Sequence, residues 1–236
     1  MIKDIIVHLE HRIARDPARD FAITVAETFD AHVAGVAFVY TPDFPGYVML
    51  ETPPDILAQM IAESEKTASA AIERFDAAAR RSMISAEHRL LKAIGASAPV
   101  VLSRLARRFD LSLFMQSEPD GVDNDDMIEA SLFDSGRPLI VVPYIQKEGL
   151  KLDHVVCCWD GSRAAARAIN DGLPLLVKAT TVDLLIVVNE NVLCRRHFRN
   201  LDRDGRLWPP QAARGHPGGV TRDMLKSMTV PVFMAH

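Results

Sequence analysis

Apolar residues along this chain gather into short runs, separated by stretches in which they recur at helical spacing. Asp4-Ile5-Ile6-Val7-His8-Leu9 is the first run and reads as a buried strand. Asp16-Pro17 then supplies an N-cap and first-turn pair for a helix over residues 18–29, where Phe21, Ala22, Val25, Ala26 and Phe29 share one face. Val33-Ala34-Gly35-Val36-Ala37-Phe38-Val39 is a second strand. Strand, helix and strand with short links predict a right-handed parallel crossover.

A proline-bearing connection (Pro42, Pro45, Pro53, Pro54) leads to one long predicted helix over residues 55–81. Its stripe of Ile56, Leu57, Met60, Ile61, Ala68, Ala71, Ile72 and Phe75 fits a core or interface face better than a membrane-surface or calmodulin-like helix. A half-polar strand over 87–94 follows, then a helix over 100–108 with Ser97 as N-cap and Pro99 in its first turn. Residues 111–115 form a fourth strand and 139–142 a fifth. Between them lie an acidic loop, 118–126, and a short helix, 127–133. The loop lacks the ordered spacing and terminal glutamate of an EF-hand, so it reads as solvated. Residues 3–144 thus make one complete five-strand α/β unit.

The pattern restarts near Leu152. Ile5 aligns with Val155 and Val33 with Val182, so strand, helix and strand recur about 150 residues later. Pro138 aligns with Pro231, an offset of only about 93, so the second repeat is shorter by more than fifty residues. Residues 191–214 stand where the first repeat holds two strands and two helices, and they show no clean strand or helix period. An internal deletion or a reading-frame disturbance would leave such ends around such a middle. Loss of the third and fourth strands leaves the first strand of this repeat with an exposed edge. The domains expected are residues 1–146 and a shortened copy, 151–236.

Composition narrows the classes. The chain is 48% hydrophobic and 25% charged, which supports a packed core. With 31 acidic and 27 basic side chains the net charge is −4, which argues against a nucleic-acid binder. Met1-Ile2-Lys3-Asp4 has no basic region leading into an apolar run, and no apolar stretch is long enough to span a bilayer. Three cysteines, two of them adjacent, make no disulfide framework, so a reducing cytoplasm is the expected setting.

Chemistry concentrates after the apolar run 155–159, where Asp160-Gly161-Ser162 ends a strand and opens an alanine-rich helix. This turn brings a carboxylate, backbone amides and a helix N-terminus to the carboxyl end of a strand, the edge at which open α/β sheets bind ligands. The stretch Trp159-Asp160-Gly161-Ser162-Arg163-Ala164 resembles the universal stress protein family in its tandem-domain bacterial form. So do Leu173-Pro174-Leu175-Leu176, Leu185-Ile186-Val187-Val188-Asn189, Gly218-Gly219-Val220-Thr221 and the final Val230-Pro231-Val232-Phe233-Met234. Ser135-Gly136-Arg137-Pro138 and Val141-Val142-Pro143 carry the likeness in the first half.

The resemblance implies a Rossmann-like, adenine nucleotide alpha hydrolase-like parallel five-strand sheet, with an incomplete copy behind it. It also implies pairing through the last strands, within the chain or in a homodimer, a stress-response role with an unnamed protein partner, and no catalysis. In ATP-binding members an acid follows the first strand, a backbone group at the end of the second contacts adenine, and a glycine-rich loop cradles phosphate. Asp160 and Gly161 match the first feature and Val188 the second. Gly215, Gly218, Gly219, Val220 and Thr221 match part of the loop. Two residues separate Gly215 from Gly218 where the family has nine, Gly219 replaces a hydroxyl residue, and Ala212 stands for the first glycine.

The nucleotide site expected is therefore weak or degraded ATP binding; the alternative is an ATP-binding switch or slow ATPase. In the first repeat no acid ends the first strand, where His8 and Leu9 sit, and the acidic loop would repel triphosphate. Asp160 serves equally well as a helix cap or as a ligand group, with Ser162 its rival for the cap. His8 with His11, and Cys194 with His197 and His216, are too scattered for a zinc site, so no metal is expected. Cys157 and Cys158 read as small packed hydrophobes. The six arginines of residues 191–214 read as a solvated cluster.

Overall fold

A computed structural model describes residues 1–11, 13, 15–42, 44, 51–119, 121–188, 191–199, 225 and 227–236; for 187–188 and 191–199 it describes the backbone alone. In chain order the elements are β1 (Asp4–His8), α1 (Pro17–Phe29), β2 (His32–Thr41), α2 (Pro54–Arg81), β3 (Ala86–Ile94), α3 (Ala98–Ala106), β4 (Leu111–Met115), α4 (Asp125–Asp134) and β5 (Leu139–Val142). They continue with β6 (His154–Trp159), α5 (Arg163–Lys178), β7 (Thr181–Val188), β8 (Asn191–Arg199) and β9 (Val232–Met234).

Strands β1 to β5 form the expected parallel five-strand sheet, in the order β3-β2-β1-β4-β5. Both faces are covered, so the strands read as continuous apolar runs rather than alternating ones. On one face Ile5, Val7, Val33, Ala37 and Val39 pack beneath α1 and α2. On the other Ile6, Ala34, Val36, Phe38 and Phe114 pack beneath α3 and α4. Asp16 caps α1 as the sequence predicts, its Oδ1 accepting the Arg19 N–H at 3.1 Å. Ser97 does not cap α3: it closes a short 3₁₀ turn, and its hydroxyl donates to the Ile94 carbonyl instead. The acidic loop is less solvated than its composition implies. Asn124 is buried and donates to the Met115 carbonyl, and Val122 is buried beside it.

The last strand joins this sheet rather than its own repeat. β9 pairs antiparallel with β5, matching Leu139 to Met234 and Val141 to Val232. Phe233 points to the α1/α2 face, where it meets Leu175 and Gly172 of α5. Leu225 and Met228 bury on the α3/α4 face, and the Gln116 amide donates to the Leu225 carbonyl at 2.6 Å. The β5–β9 pair thus ties the end of the chain to the first sheet.

The remaining strands form a second sheet, β6-β7-β8. Residues 191–199, in which the sequence shows no strand period, are a strand running antiparallel to β7. Their arginines obscure the pattern, and the pairing is backbone pairing along the open edge of β7. Among the described residues β6 has one neighbour, β7. Of its cysteines only Cys157 packs inward, and burial pushes its thiol up to about 11. Cys158 is exposed, as is Val156, because they face away from α5.

Candidate functional site

The carboxyl edges of both sheets hold the polar groups. In the second sheet, β6 and β7 run parallel with Trp159 opposite Ile186, which brings Asp160 and the Val188 backbone to the same edge. Gly161 turns the chain at φ 79°, a left-handed conformation in which glycine is unstrained. Ser162 takes the cap of α5, its hydroxyl accepting the Ala165 N–H at 3.0 Å. Asp160 braces the turn, its Oδ1 accepting the Ser162 N–H at 2.8 Å. Burial acts to raise the Asp160 carboxyl, but hydrogen bonds from Ser162 outweigh it and hold the group below the usual carboxylate range. The expected cap-or-ligand choice thus falls to Ser162 as the cap, with an ionised carboxylate beside it. Asp160, Gly161 and Val188 come together; Gly215, Gly218, Gly219, Val220 and Thr221 lie outside the described residues.

In the first sheet the edge is richer than the sequence implies. β1 ends at His8, and Leu9 continues its pairing by donating to the Val36 carbonyl. Glu10 follows and is buried, which corrects the expectation that this repeat has no acid at that end. The Glu10 N–H donates to Asp16 Oδ2 at 2.9 Å, and the His11 N–H donates to Glu10 Oε1 at 2.9 Å. Asp16 therefore caps α1 with one oxygen and fixes the turn after β1 with the other. Its carboxyl is pushed up to about 6 by burial, against the pull of the Glu10 and Arg19 N–H groups and the Arg19 charge.

His8 is buried between Phe38 and Phe114, with ring centroids 5.9 and 6.4 Å away. Neither of its ring nitrogens has a hydrogen-bond partner among the described residues. Burial holds its pKa at about 4, with Glu10 opposing the shift and His11 adding to it.

Above these groups two adjoining hollows open, of about 460 and 380 Å³. His11, Tyr40 and Thr41 line both. Met60, Glu63 and Ser64 of α2 close the larger; Glu10, Val122 and Asp123 close the smaller. The Tyr40 N–H donates to the Ser64 hydroxyl at 2.8 Å, which seats α2 against the end of β2. Glu63 lines the larger hollow and Glu10 and Asp123 the smaller, so carboxylates stand on both sides of this edge. Glu10 escapes a reading of the sequence because it stands two residues beyond the strand, and only the later fold of the turn onto Asp16 buries it. Among the described residues no three His, Cys, Asp or Glu side chains converge as a metal site, and no helix is long and apolar enough to cross a membrane.

No protein family model and no curated protein matches the chain. Solved structures do. A functionally unknown protein from Pseudomonas aeruginosa PAO1 and a provisionally assigned universal stress protein from Pseudomonas aeruginosa UCBPP-PA14 each align with a TM-score of 0.52 at 13% identity. Each match covers 78% of this chain and 60% of the other. A protein from the universal stress protein family of Burkholderia pseudomallei aligns with a TM-score of 0.44 at 20% identity, over 60% of this chain and 96% of that one. At these identities the likeness is one of architecture, a mostly parallel sheet between helices. In fold, this chain is similar to the universal stress proteins.

Proposed function

We propose that this chain is a non-enzymatic, universal stress protein-like stress-response protein that works by binding and by association through its last strands, with a weak nucleotide site in its second repeat. The observation that carries this reading is the antiparallel pairing of β9 with β5, which makes association the organising feature of the molecule. The same strand edges could serve pairing within one chain or between two, and a homodimer is the intermolecular form. The carboxylates around the first-sheet hollows support the absence of a triphosphate site there.

A second reading, an ATP-binding switch or slow ATPase, draws support from Asp160. Its ionised carboxylate stands at the N-terminus of α5, on the same edge as the Val188 backbone. Titration of ATP into the wild type and Asp160→Ala separates the two. The proposal predicts heat too small to saturate at millimolar ATP, unchanged by the substitution. Saturable binding that falls at least tenfold in Asp160→Ala would establish the switch.

A further inference from the structure

By sequence register β6 is the second repeat's counterpart of β1, α5 that of α1, and β9 that of β5. In the first sheet β4 stands between β1 and β5, and α1 touches all three strands. In the second repeat α5 touches both β6 and β9, yet no strand stands between them among the described residues. One turn of α5 bridges the two sides. Leu175 packs into the first core, where Phe233 lies, and Leu176 into the second with Cys157 and Val182. The place of one strand, covered on one face by α5, is thus flanked by β6 and β9.

Both borders are uncharged. Residues 155–159 and 230–235 contain no Asp, Glu, Lys, Arg or His. The other outer strands differ: β3 carries Glu87, His88, Arg89 and Lys92, and β8 carries Arg195, Arg196 and Arg199. Charge along an edge is the usual protection against a further strand, and β6 and β9 lack it. On the face of β6 turned away from α5, Val156 is 52% exposed and Cys158 is exposed as well.

We propose that β6 and β9 together receive one further strand, an extended, uncharged, apolar segment of a partner protein lying parallel to β6. The template is β4, whose residues Leu111–Met115 run parallel to β1 in the equivalent place. Main-chain hydrogen bonds to β6 and β9 give affinity, and the α5 face selects apolar side chains at alternate positions. The inference rests on the association reading, through the seat of β9 against β5, and adds a second interface to it.

A fluorescein-labelled peptide with the sequence of residues 110–116 is the probe, and its Leu113→Pro form, which cannot pair, is the control. Anisotropy is expected to show saturable binding of the probe to the full chain and none of the control. Bound probe should also slow alkylation of Cys158, read by mass spectrometry. Val156→Lys, at an exposed position of β6, is expected to weaken binding at least tenfold, and urea unfolding confirms that this variant is folded. Leu90→Lys, on the β3 edge, leaves binding unchanged. Hydrogen exchange of the β5 and β9 amides reports their pairing separately, so failure of the association reading and failure of the strand site are distinguishable. Absence of saturable binding, equal binding of the control, or weakening by Leu90→Lys rather than Val156→Lys would overturn the proposal.

Discussion

Truncation of Phe75 to alanine is expected to destabilise the first sheet by roughly 3 to 5 kcal/mol, the usual cost of removing a buried aromatic ring. Phe75 is fully buried near the middle of the core between α2 and β2. Its ring lies on the backbone of Gly35, where an added Cβ would stand 2.8 Å from two ring carbons and 3.0 Å from a methyl of Leu9. Glycine is required there by close approach rather than by backbone angle. Gly35→Ala alone should therefore cost roughly 1 to 3 kcal/mol through overpacking. In Phe75→Ala the added methyl finds the space vacated, so the double variant should be more stable than the sum of the two losses by at least about 0.5 kcal/mol. Urea unfolding of the four proteins measures the coupling, and strict additivity would refute the contact.

A second large effect lies in the titration of His8 and Asp16. The folded pKa of Asp16 is raised to about 6 from 3.8, so its contribution is fully present below pH 3.8 and is lost as pH rises through 6. The folded pKa of His8 is lowered to about 4 from 6.5, so its contribution is present above pH 6.5 and is lost as pH falls through 4. Each shift of about two units corresponds to roughly 3 kcal/mol. Over the same window the two act in opposite directions, and the wild type should show little slope from this pair.

Single variants expose the halves. Asp16→Asn keeps an oxygen to cap α1 and should become more stable as pH rises from 4 to 6.5, by roughly 3 kcal/mol relative to the wild type. His8→Leu removes two buried nitrogens that have no partner among the described residues and should become less stable as pH rises from 4 to 6, by a similar amount. Stability curves with the same slope in all three proteins would contradict the burial argument.

The fold of the first repeat was largely legible because both faces of its sheet are covered. Runs such as Ile5-Ile6-Val7 and Val33 to Val39 have no polar interruption, and Asp16-Pro17 marks a helix start by local chemistry alone. Ser97-Ala98-Pro99 carries similar signals, but Ser97 is already helical in its backbone, and its hydroxyl donates to the Ile94 carbonyl instead of accepting a cap bond. The second repeat was less legible. β8 is held by backbone bonds to β7, which leave no mark on side-chain pattern. The exposure of Val156 and Cys158 follows from their place on the face of β6 turned away from α5, among the described residues.

At the candidate sites the division is similar. Asp160-Gly161-Ser162 was readable because a turn needing positive φ, an acid and a cap lie within three residues. Glu10 was not, because its burial depends on Asp16, six residues on, receiving its backbone N–H. The hollow it lines is assembled from the turn after β1, the end of β2, the turn after β3 and the loop after β4, and no local pattern announces such a convergence.

The most direct test of the account is the nucleotide content of the purified protein. Heat denaturation followed by chromatography of the supernatant measures what the folded chain retains. If the proposed function holds, with at most weak nucleotide binding at the second-sheet edge, the protein comes without adenine nucleotide. Nucleotide released near one per chain would contradict it and place ATP binding at the centre of this protein's work.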